Sequence, residues 1–472
     1  MIERLFLLNL MKIHLLYPCF LFGISSLASD HSAPPGPSNS IDPLWQEASF
    51  RRAFTASYGI DARIEPLVNA GEKEVLNQVA ELMKKEDREG AIAKLVGDSN
   101  LNESAALIFT LGNLRFESGA VEDALVNFER AIALHPNFRD AHRNLAVALV
   151  QQSQFDAAEP HLVRALELGA RDGLTLGLLG YCHANADRSQ AALQAYRLAQ
   201  LTMPEELQWK LGEAHALLAL NDARGSVSIY SQLLEQRADD GALWSNQADA
   251  YLQLGESVPA IANLEFARRL NQLNPAETIS LGHLYLNEGL VDSAMECYQA
   301  TLSGEAEAPF DKLVDALENL TRFRRWHEAG ILVEALSENP RFRGRSDNDK
   351  GITSRLMRCR GLIELEAGDP TIGFGLVQSL VESDPLDGAA LILLAKFQAR
   401  EKRFEEAELL LQQAASLDAF AVAAWRELGK LLVQAGRYGD AVNPLRQALE
   451  REPDANLSQY LDAVERAAKQ EG

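Results

Sequence analysis

A small residue recurs every 33 to 35 positions along most of this chain. After one wider gap, the same spacing resumes towards the C-terminus. The series comprises Ala91, Ala124, Ala158, Ala192, Ser226, Ala260, Ala294, Ala329, Gly373, Ala407 and Ala441. A fixed period of this length is typical of arrays in which each unit packs only against its neighbours. The period predicts eleven consecutive units between about residues 72 and 455.

A second series of small residues lies twelve positions ahead of the first. Its members are Gly112, Ala146, Gly180, Ala214, Ala248, Gly282, Gly361, Ala395 and Gly429. Larger apolar residues stand four positions after the first series, as at Phe128, Leu162, Tyr196, Tyr298, Leu411 and Leu445. Small residues let two helices approach closely, and large ones fill the space beside them. Each unit is therefore predicted to be a hairpin of two amphipathic helices that buries its apolar face by stacking on the next hairpin.

These units resemble tetratricopeptide repeats in their 34-residue length, their two helices and their small–large alternation. Several units also close on a proline, at Pro136, Pro204, Pro385 and Pro453. The unit from Val422 to Ala455 matches the pattern at Trp425, Gly429, Ala441, Leu445 and Pro453. The resemblance implies an all-α fold, a right-handed superhelical solenoid of stacked helix-turn-helix repeats. It also implies a protein that binds other proteins, in a concave groove lined by the first helix of each unit.

Two departures from the pattern divide the array. Leu317 stands where a small residue is expected, so we expect the two helices of that unit to lie further apart. A polar stretch at residues 344–353 then separates repeats 1–8, at residues 72–343, from repeats 9–11, at residues 354–455. We interpret it as an insert or hinge, with a tolerated surface insertion as the alternative. Residues 456–472 predict a C-terminal capping helix.

The N-terminus predicts export in a bacterium. An apolar run from Ile13 to Leu27 ends in small residues, which is typical of a signal peptide at residues 1–28, with cleavage expected after Ala28. Residues 29–41 predict a flexible linker, and residues 42–71 a capping helix region. We therefore expect a periplasmic or secreted protein, with membrane anchoring by an uncleaved segment as the alternative. The start codon could correspond to Met1 or Met11.

Composition and motifs narrow the possible functions. The net charge of −22 disfavours nucleic acid as a partner, because nucleic-acid binding needs a basic surface. The four cysteines form no CxxC pair, and the histidines lack partners at metal-ligand spacing, so we expect no metal and no cofactor. No hydrolase, metalloprotease, P-loop or dinucleotide-binding motif is present, so we expect a protein that is not an enzyme.

A basic ladder is predicted on the groove side of the last three first helices. It comprises Arg355, Arg358, Lys396, Arg400, Arg426 and Lys430. The same stripe is acidic in the middle of the array, at Asp249, Asp311, Asp315 and Glu318. Because guanidinium groups bind carboxylates in bidentate fashion, the ladder favours a partner with an acidic segment. The alternative is that these cations are solvated or pair with acids of the chain itself.

A more apolar stripe is predicted near the N-terminus, at Phe109, Asn113, Phe116, Asn144 and Tyr181. Asn113 and Asn144 match the asparagine places of the carboxylate clamp in some tetratricopeptide co-chaperones. Phe109 and Leu174 stand where that clamp needs basic residues, so we do not predict it. The sequence thus predicts a scaffold that binds a protein or peptide, with a structural subunit of an envelope export or assembly machine, for polysaccharide or outer-membrane proteins, as the alternative.

Overall fold

The computed structural model describes residues 64–304, 309–342 and 350–471. These residues form α-helices and one short 3-10 helix, and they include no β-strand. Contacts between residues divide the chain into two compact units, one up to Ala216 and one from Leu217. The predicted signal peptide, the linker, residues 42–63 of the capping region and residues 344–349 of the insert lie outside the described residues.

The first unit contains four helical hairpins and the start of a further helix. Its helices are α1 (Ala70–Lys84), α2 (Arg88–Val96), α3 (Ala105–Glu117), α4 (Val121–Leu134), α5 (Arg139–Gln151), α6 (Phe155–Glu167), α7 (Gly173–Asn185) and α8 (Ser189–Thr202), with the 3-10 helix at Leu101–Glu103. Helix α9 (Leu207–Ala219) crosses the boundary between the units. Within the unit, α1 packs on α2, α3 on α4, α5 on α6 and α7 on α8.

The second unit continues the same arrangement. Its helices are α10 (Ala223–Gln236), α11 (Gly241–Gln253), α12 (Ser257–Arg269), α13 (Pro275–Asn287), α14 (Val291–Ser303), α15 (Phe310–Arg322), α16 (Trp326–Glu338), α17 (Lys350–Ala367), α18 (Pro370–Ser383), α19 (Gly388–Arg400), α20 (Phe404–Ala415), α21 (Ala421–Gln434), α22 (Tyr438–Arg451) and α23 (Ala455–Glu471). Hairpins α11–α12 to α21–α22 pack pairwise, and α23 packs on α22. Helix α17 begins at Lys350, so its first four residues belong to the stretch 344–353 that was predicted as the insert.

Helix starts follow directly from the sequence. Asn69 and Asn274 each accept hydrogen bonds from the first turn of their helix, and Glu72 and Glu277 complete capping boxes. The hairpin turns of the described residues, except that between α17 and α18, use a residue with positive φ, which ends the first helix and redirects the chain. Gly119 and Gly436, in turns predicted from the sequence, have φ values of 83° and 77°. Glycine adopts this conformation without the steric cost of a Cβ atom.

The two small-residue series meet inside each hairpin. A Cβ atom on Gly112 would lie 2.7 Å from Phe128 Cε1, and one on Gly282 would lie 2.5 Å from Tyr298 Cε1. The small residue of the first helix thus faces the large residue sixteen positions later on the second helix. The alanines of the first series, such as Ala124 and Ala294, are fully buried. The predicted small–large packing is therefore the packing of the core.

The hairpin that contains Leu317, α15–α16, is packed more loosely than its neighbours, as its sequence predicts. Leu317 is fully buried in α15, at the place that Gly282 occupies in α13. Helices α15 and α16 approach each other less closely than those of the neighbouring hairpins α13–α14 and α17–α18. An apolar cluster around Leu317 extends from Ile279 to Ile363 and contains Phe310 and Phe342. The isobutyl group of Leu317 separates the helices, and these apolar side chains fill the space.

Candidate functional site

The structure places the six basic residues of the ladder on three successive first helices. Arg355 and Arg358 lie on α17, Lys396 and Arg400 on α19, and Arg426 and Lys430 on α21. Two cavities open between these helices. One of about 250 Å³ is lined by Arg358, Lys396, Glu318 and apolar residues including Leu362 and Ile392. The other, of about 310 Å³, is lined by Lys396, Arg400 and Lys430 together with Glu366, Glu427, Leu365, Leu411 and Leu431.

Acidic residues of the chain itself pair with every cation of the ladder. Arg358 Nη1 lies 2.6 Å from Asp387 Oδ2, Arg400 Nη2 lies 2.6 Å from Glu366 Oε1, and Lys430 Nζ lies 2.9 Å from Glu427 Oε1. Lys396 is 3.8 Å from Glu427, and Arg426 lies 3.4 and 3.5 Å from Glu452 and Asp454. The ladder is therefore a network of ion pairs, most of which join neighbouring hairpins.

Arg355 is the point where the predicted basic and acidic stripes meet. It contacts Asp315, and its Nη2 lies 2.7 Å from Glu318 Oε2. The hydrogen bonds that Arg355 donates to Glu318 and Asp315 raise the pKa of Arg355 despite its partial burial. These two acids neutralise Arg355, and the ion pairs connect α17 to α15. Arg355 is therefore the least available of the six cations for an outside carboxylate.

Arg426 differs from the other arginines of the ladder. Its Nε and Nη2 atoms are buried and have no hydrogen-bond acceptor among the described residues. Its side chain is 26% exposed, and the nearest carboxylates are at ion-pair distance only. Buried donors without acceptors are costly, so Arg426 contributes less to stability than the fully hydrogen-bonded arginines of the ladder.

The apolar stripe near the N-terminus is not an open surface in this structure, which corrects the prediction for the three buried residues Phe109, Asn113 and Asn144. Phe109 is fully buried between Phe128 and Phe138, with ring centroids 5.8 and 4.6 Å away. Asn144 is also fully buried, and its Nδ2 donates to Asn113 Oδ1 at 2.9 Å. Helix α3 is buried on most of its sides, so both its core residues and its groove residues are apolar. The sequence pattern therefore could not show that Phe109 lies in the core.

Two residues of that stripe, Phe116 and Tyr181, retain some exposure. Phe116 on α3 is half-buried. Tyr181 on α7 is also half-buried, and its ring packs edge-on against Phe155 at a centroid distance of 5.3 Å. Asn113 is buried, with 8% of its surface exposed. The stripe therefore combines core residues with a partly accessible rim.

Two side-chain pairs at the N-terminal end were not predicted from the sequence. Arg139 Nη2 donates to Glu65 Oε1 at 2.8 Å, across 74 positions of the chain. His142 and His161 approach with their Nδ1 atoms 2.9 Å apart, and His142 Nε2 lies 3.0 Å from the carbonyl oxygen of Pro136. Burial lowers the pKa of both histidines. No local motif marks either pair: the first joins residues 74 positions apart, and the second lies between the two helices of the hairpin α5–α6.

The described residues contain no group of three or more His, Cys, Asp or Glu side chains placed to hold a metal ion. Cys182, Cys297 and Cys359 are free thiols in the core, and burial raises their pKa values to about 12, 11 and 12. They therefore behave as small apolar residues. Among the helices of the described ranges, none has the length and apolar character needed to cross a bilayer.

The stacked helical hairpins and their charged first-helix face define a helical-repeat protein, a class that binds protein or peptide partners. The chain belongs to the tetratricopeptide repeat family. A TPR repeat model matches residues 112–153, and a tetratricopeptide repeat model matches residues 145–205, 211–262, 360–424 and 426–464. Together these matches cover more than half of the chain. No curated protein sequence matches it.

Solved structures with the same repeat fold show low identity to this chain. A tetratricopeptide repeat protein from Parabacteroides merdae is 17% identical, with a TM-score of 0.37, over 50% of this chain and 93% of that one. YrrB, described as a TPR protein with an unusual peptide-binding site, is 17% identical, with a TM-score of 0.37, over 42% and 98%. A thermophilic TPR protein of Thermus thermophilus is 23% identical, with a TM-score of 0.31, over 39% and 99%. Proteins of this family bind protein or peptide partners and are generally non-enzymatic scaffolds.

Proposed function

We propose that this protein is a non-enzymatic scaffold that binds a protein or peptide partner along helices α17, α19 and α21. The observation that carries the proposal is the cavity of about 310 Å³ in which Lys396, Arg400 and Lys430 converge. Leu365, Leu411 and Leu431 line the same cavity. A site that combines convergent cations with apolar walls suits a segment whose acidic side chains alternate with apolar ones.

The internal ion pairs are compatible with binding. The side chains of Lys396, Arg400 and Lys430 are about half exposed, and such pairs contribute about 0–1 kcal/mol each. A partner carboxylate can therefore replace or join Glu366 and Glu427 at small cost. Complementary charge of this kind sets the orientation and association rate of the partner more than the affinity itself.

We propose that the scaffold acts outside the bacterial cytoplasm, in the periplasm or on the outer envelope. The support is the apolar run that ends at Ala28, followed by a segment rich in proline and serine. N-terminal sequencing of the protein from its native cells tests this directly. A chain that starts at Ser29 supports export with cleavage, and a chain that retains residues 1–28 contradicts cleavage.

A capture experiment with matched variants tests the binding site. The mature protein serves as bait for envelope extracts at low and moderate salt, beside a variant with Lys396→Ser, Arg400→Ser and Lys430→Ser. The control carries Arg437→Ser, Arg446→Ser and Arg451→Ser on α22, which removes the same charge from side chains of similar exposure. A partner that is lost with the first variant, weakened by salt and retained by the control supports the proposal. Equal capture by both variants contradicts it.

A further inference from the structure

Two histidines of the hairpin α5–α6 face each other inside the first unit. The Nδ1 atoms of His142 on α5 and His161 on α6 are 2.9 Å apart, and the ring centroids are 5.2 Å apart. His142 Nε2 lies 3.0 Å from the carbonyl oxygen of Pro136, in the connection between α4 and α5. His142 is 7% exposed, and His161 is half-buried. The binding site proposed on α17, α19 and α21 uses neither side chain.

These two contacts fix the hydrogens of the neutral pair. A carbonyl oxygen only accepts, so His142 Nε2 must carry a hydrogen, and in a neutral imidazole the other nitrogen is then an acceptor. His142 Nδ1 therefore accepts, and His161 Nδ1 must donate the hydrogen of the 2.9 Å bond. One arrangement of hydrogens thus satisfies both contacts: the Nε2–H tautomer at His142 and the Nδ1–H tautomer at His161.

A proton has different consequences at the two rings. On His161 it goes to Nε2, and the bond between the two Nδ1 atoms remains, because His161 Nδ1 still donates. On His142 it can only go to Nδ1, where it removes the acceptor and sets two N–H donors against each other at a nitrogen distance of 2.9 Å. A buried donor that faces another donor has lost its hydrogen bond and carries the cost of desolvation. The contact between the rings therefore requires a neutral His142.

The histidine pair fastens α6 to the connection between α4 and α5. From α6, His161 is linked to the carbonyl oxygen of Pro136 through His142. A second attachment runs from Arg164 of α6, whose Nη2 donates to Asn137 Oδ1 in the same connection. Arg164 and Asn137 are exposed, whereas the link through His142 is largely buried. Separation of the two rings therefore removes the buried one of these two attachments.

The surroundings of the pair oppose its protonation. Burial lowers the pKa of His142, the charge of Arg164 adds to this, and the hydrogen bond to Pro136 opposes it. Burial, and next the proximity of His142, lower the pKa of His161. A histidine whose pKa is lower in the folded protein stabilises the fold above its ordinary pKa of 6.5, and this contribution is lost as the pH falls below 6.5.

The ionisable groups on the other elements packed against the hairpin have contacts of their own. His135 lies at the end of α4, and its ring packs edge-on against a phenylalanine of the α4–α5 connection. Glu159 of α6 lies 3.7 Å from His183 of α7. Helix α3 is uncharged over residues 105–114. None of these contacts brings a carboxylate to His142 that would stabilise its protonated form.

We propose that His142 and His161 form an acid-sensitive latch, which holds the connection between α4 and α5 against α6 while His142 is neutral and releases it when His142 takes up a proton. The connection carries Phe138, which is fully buried with its ring centroid 4.6 Å from that of Phe109 on α3. Release therefore loosens the packing between two successive hairpins. The latch lies in the first unit and is independent of the basic ladder in the second.

Nitrogen NMR of the protein with ¹⁵N-labelled histidines tests the closed arrangement of the latch. The nitrogen shifts distinguish the two neutral tautomers and the protonated ring, and His142→Asn and His161→Asn assign the signals. At pH 7.5 we expect the Nε2–H tautomer at His142 and the Nδ1–H tautomer at His161. The Nε2–H tautomer at both rings, or a protonated His142 at this pH, would overturn the proposal.

Hydrogen exchange of α6 at pH 7.5 and pH 5.5, corrected for the intrinsic rates, tests the release. The two values lie one unit on either side of 6.5, so an imidazole that is neutral in the latch and titrates normally after release makes opening about tenfold easier at pH 5.5.

His142→Asn keeps an oxygen that accepts from His161 but cannot take up a proton, so its exchange should depend much less on pH. The control His327→Asn, at an exposed histidine of α16, should retain the tenfold change. The proposal fails if wild-type exchange is equal at both values, or if His142→Asn retains the full change.

Discussion

Asn144 Nδ2 donates a hydrogen bond of 2.9 Å to Asn113 Oδ1 across two successive first helices, at a place where both side chains are buried. The pair connects α3 to α5. A buried polar pair of this kind fixes the register of two packed helices, because a shift would leave polar groups without partners.

The first prediction concerns this pair. Asn144→Ala removes the donor to Asn113 Oδ1 and leaves that oxygen buried, so we expect the free energy of unfolding to fall by about 1–3 kcal/mol. Urea denaturation followed by circular dichroism measures the change. Asn77→Ala, on an exposed face of α1, is the control and changes stability by less than about 0.5 kcal/mol. An equal effect of the two substitutions would show that the buried hydrogen bond contributes nothing.

A second prediction tests the small–large packing inside the hairpins. Gly282→Ala places a Cβ atom 2.5 Å from Tyr298 Cε1, so we expect a loss of about 1–3 kcal/mol from overpacking. Gly330→Ala is the matched control within α16, where no atom lies within 4 Å of the new Cβ. Since alanine favours a helix over glycine, this control should stabilise the protein by up to about 1 kcal/mol. Opposite signs in urea denaturation confirm the packing rule, and a common sign contradicts it.

The close contacts between hairpin helices could be predicted because they depend on short, repeated spacings. The facing of Gly112 and Phe128, or of Gly282 and Tyr298, follows from a constant offset of sixteen residues within one hairpin. The looser packing around Leu317 could also be predicted, because one side chain sets the distance between two adjacent helices.

The state of the groove could not be predicted in the same way. The six basic residues lie on α17, α19 and α21, but the partners Asp315, Asp387 and Glu366 come from neighbouring hairpins. Phe109 was expected on a surface and lies in the core, and the Glu65–Arg139 contact joins residues 74 positions apart. These contacts depend on how repeats stack, which a pattern within one repeat does not contain.

A third prediction concerns the pH dependence of the segment before α1. Burial, and next the charge of Asp140, raise the pKa of Glu65 to about 7, against the opposing charges of Arg139 and Arg143. Glu65 held against Arg139 therefore binds a proton more tightly than it does when residues 64–69 are released and its carboxyl has the ordinary pKa near 4.5. The contribution of this contact is fully present below about pH 4.5 and is lost progressively as the pH rises to about 7.

Hydrogen exchange of residues 64–69 at pH 6 and pH 8, corrected for the intrinsic rates, measures this effect. We expect weaker protection at pH 8 in the wild-type protein. Glu65→Gln, which cannot ionise but keeps the shape of the side chain, should show the same protection at both values. A wild-type profile that is flat between pH 6 and pH 8 would contradict the role of Glu65.

Binding of a designed peptide to the basic ladder tests whether α17, α19 and α21 form the partner-binding site. The probes are two labelled twelve-residue peptides, one of alternating leucine and glutamate and one with glutamine in place of each glutamate, titrated by fluorescence anisotropy. We predict that the wild-type protein prefers the glutamate peptide. The Lys396→Ser, Arg400→Ser and Lys430→Ser variant should lose about tenfold to a hundredfold in affinity for it, from three charge pairs at about 0.5–1 kcal/mol each. The control with Arg437→Ser, Arg446→Ser and Arg451→Ser should bind as wild type. Equal affinity of the wild-type protein for the two peptides, or an equal loss in the control, would contradict binding along α17, α19 and α21.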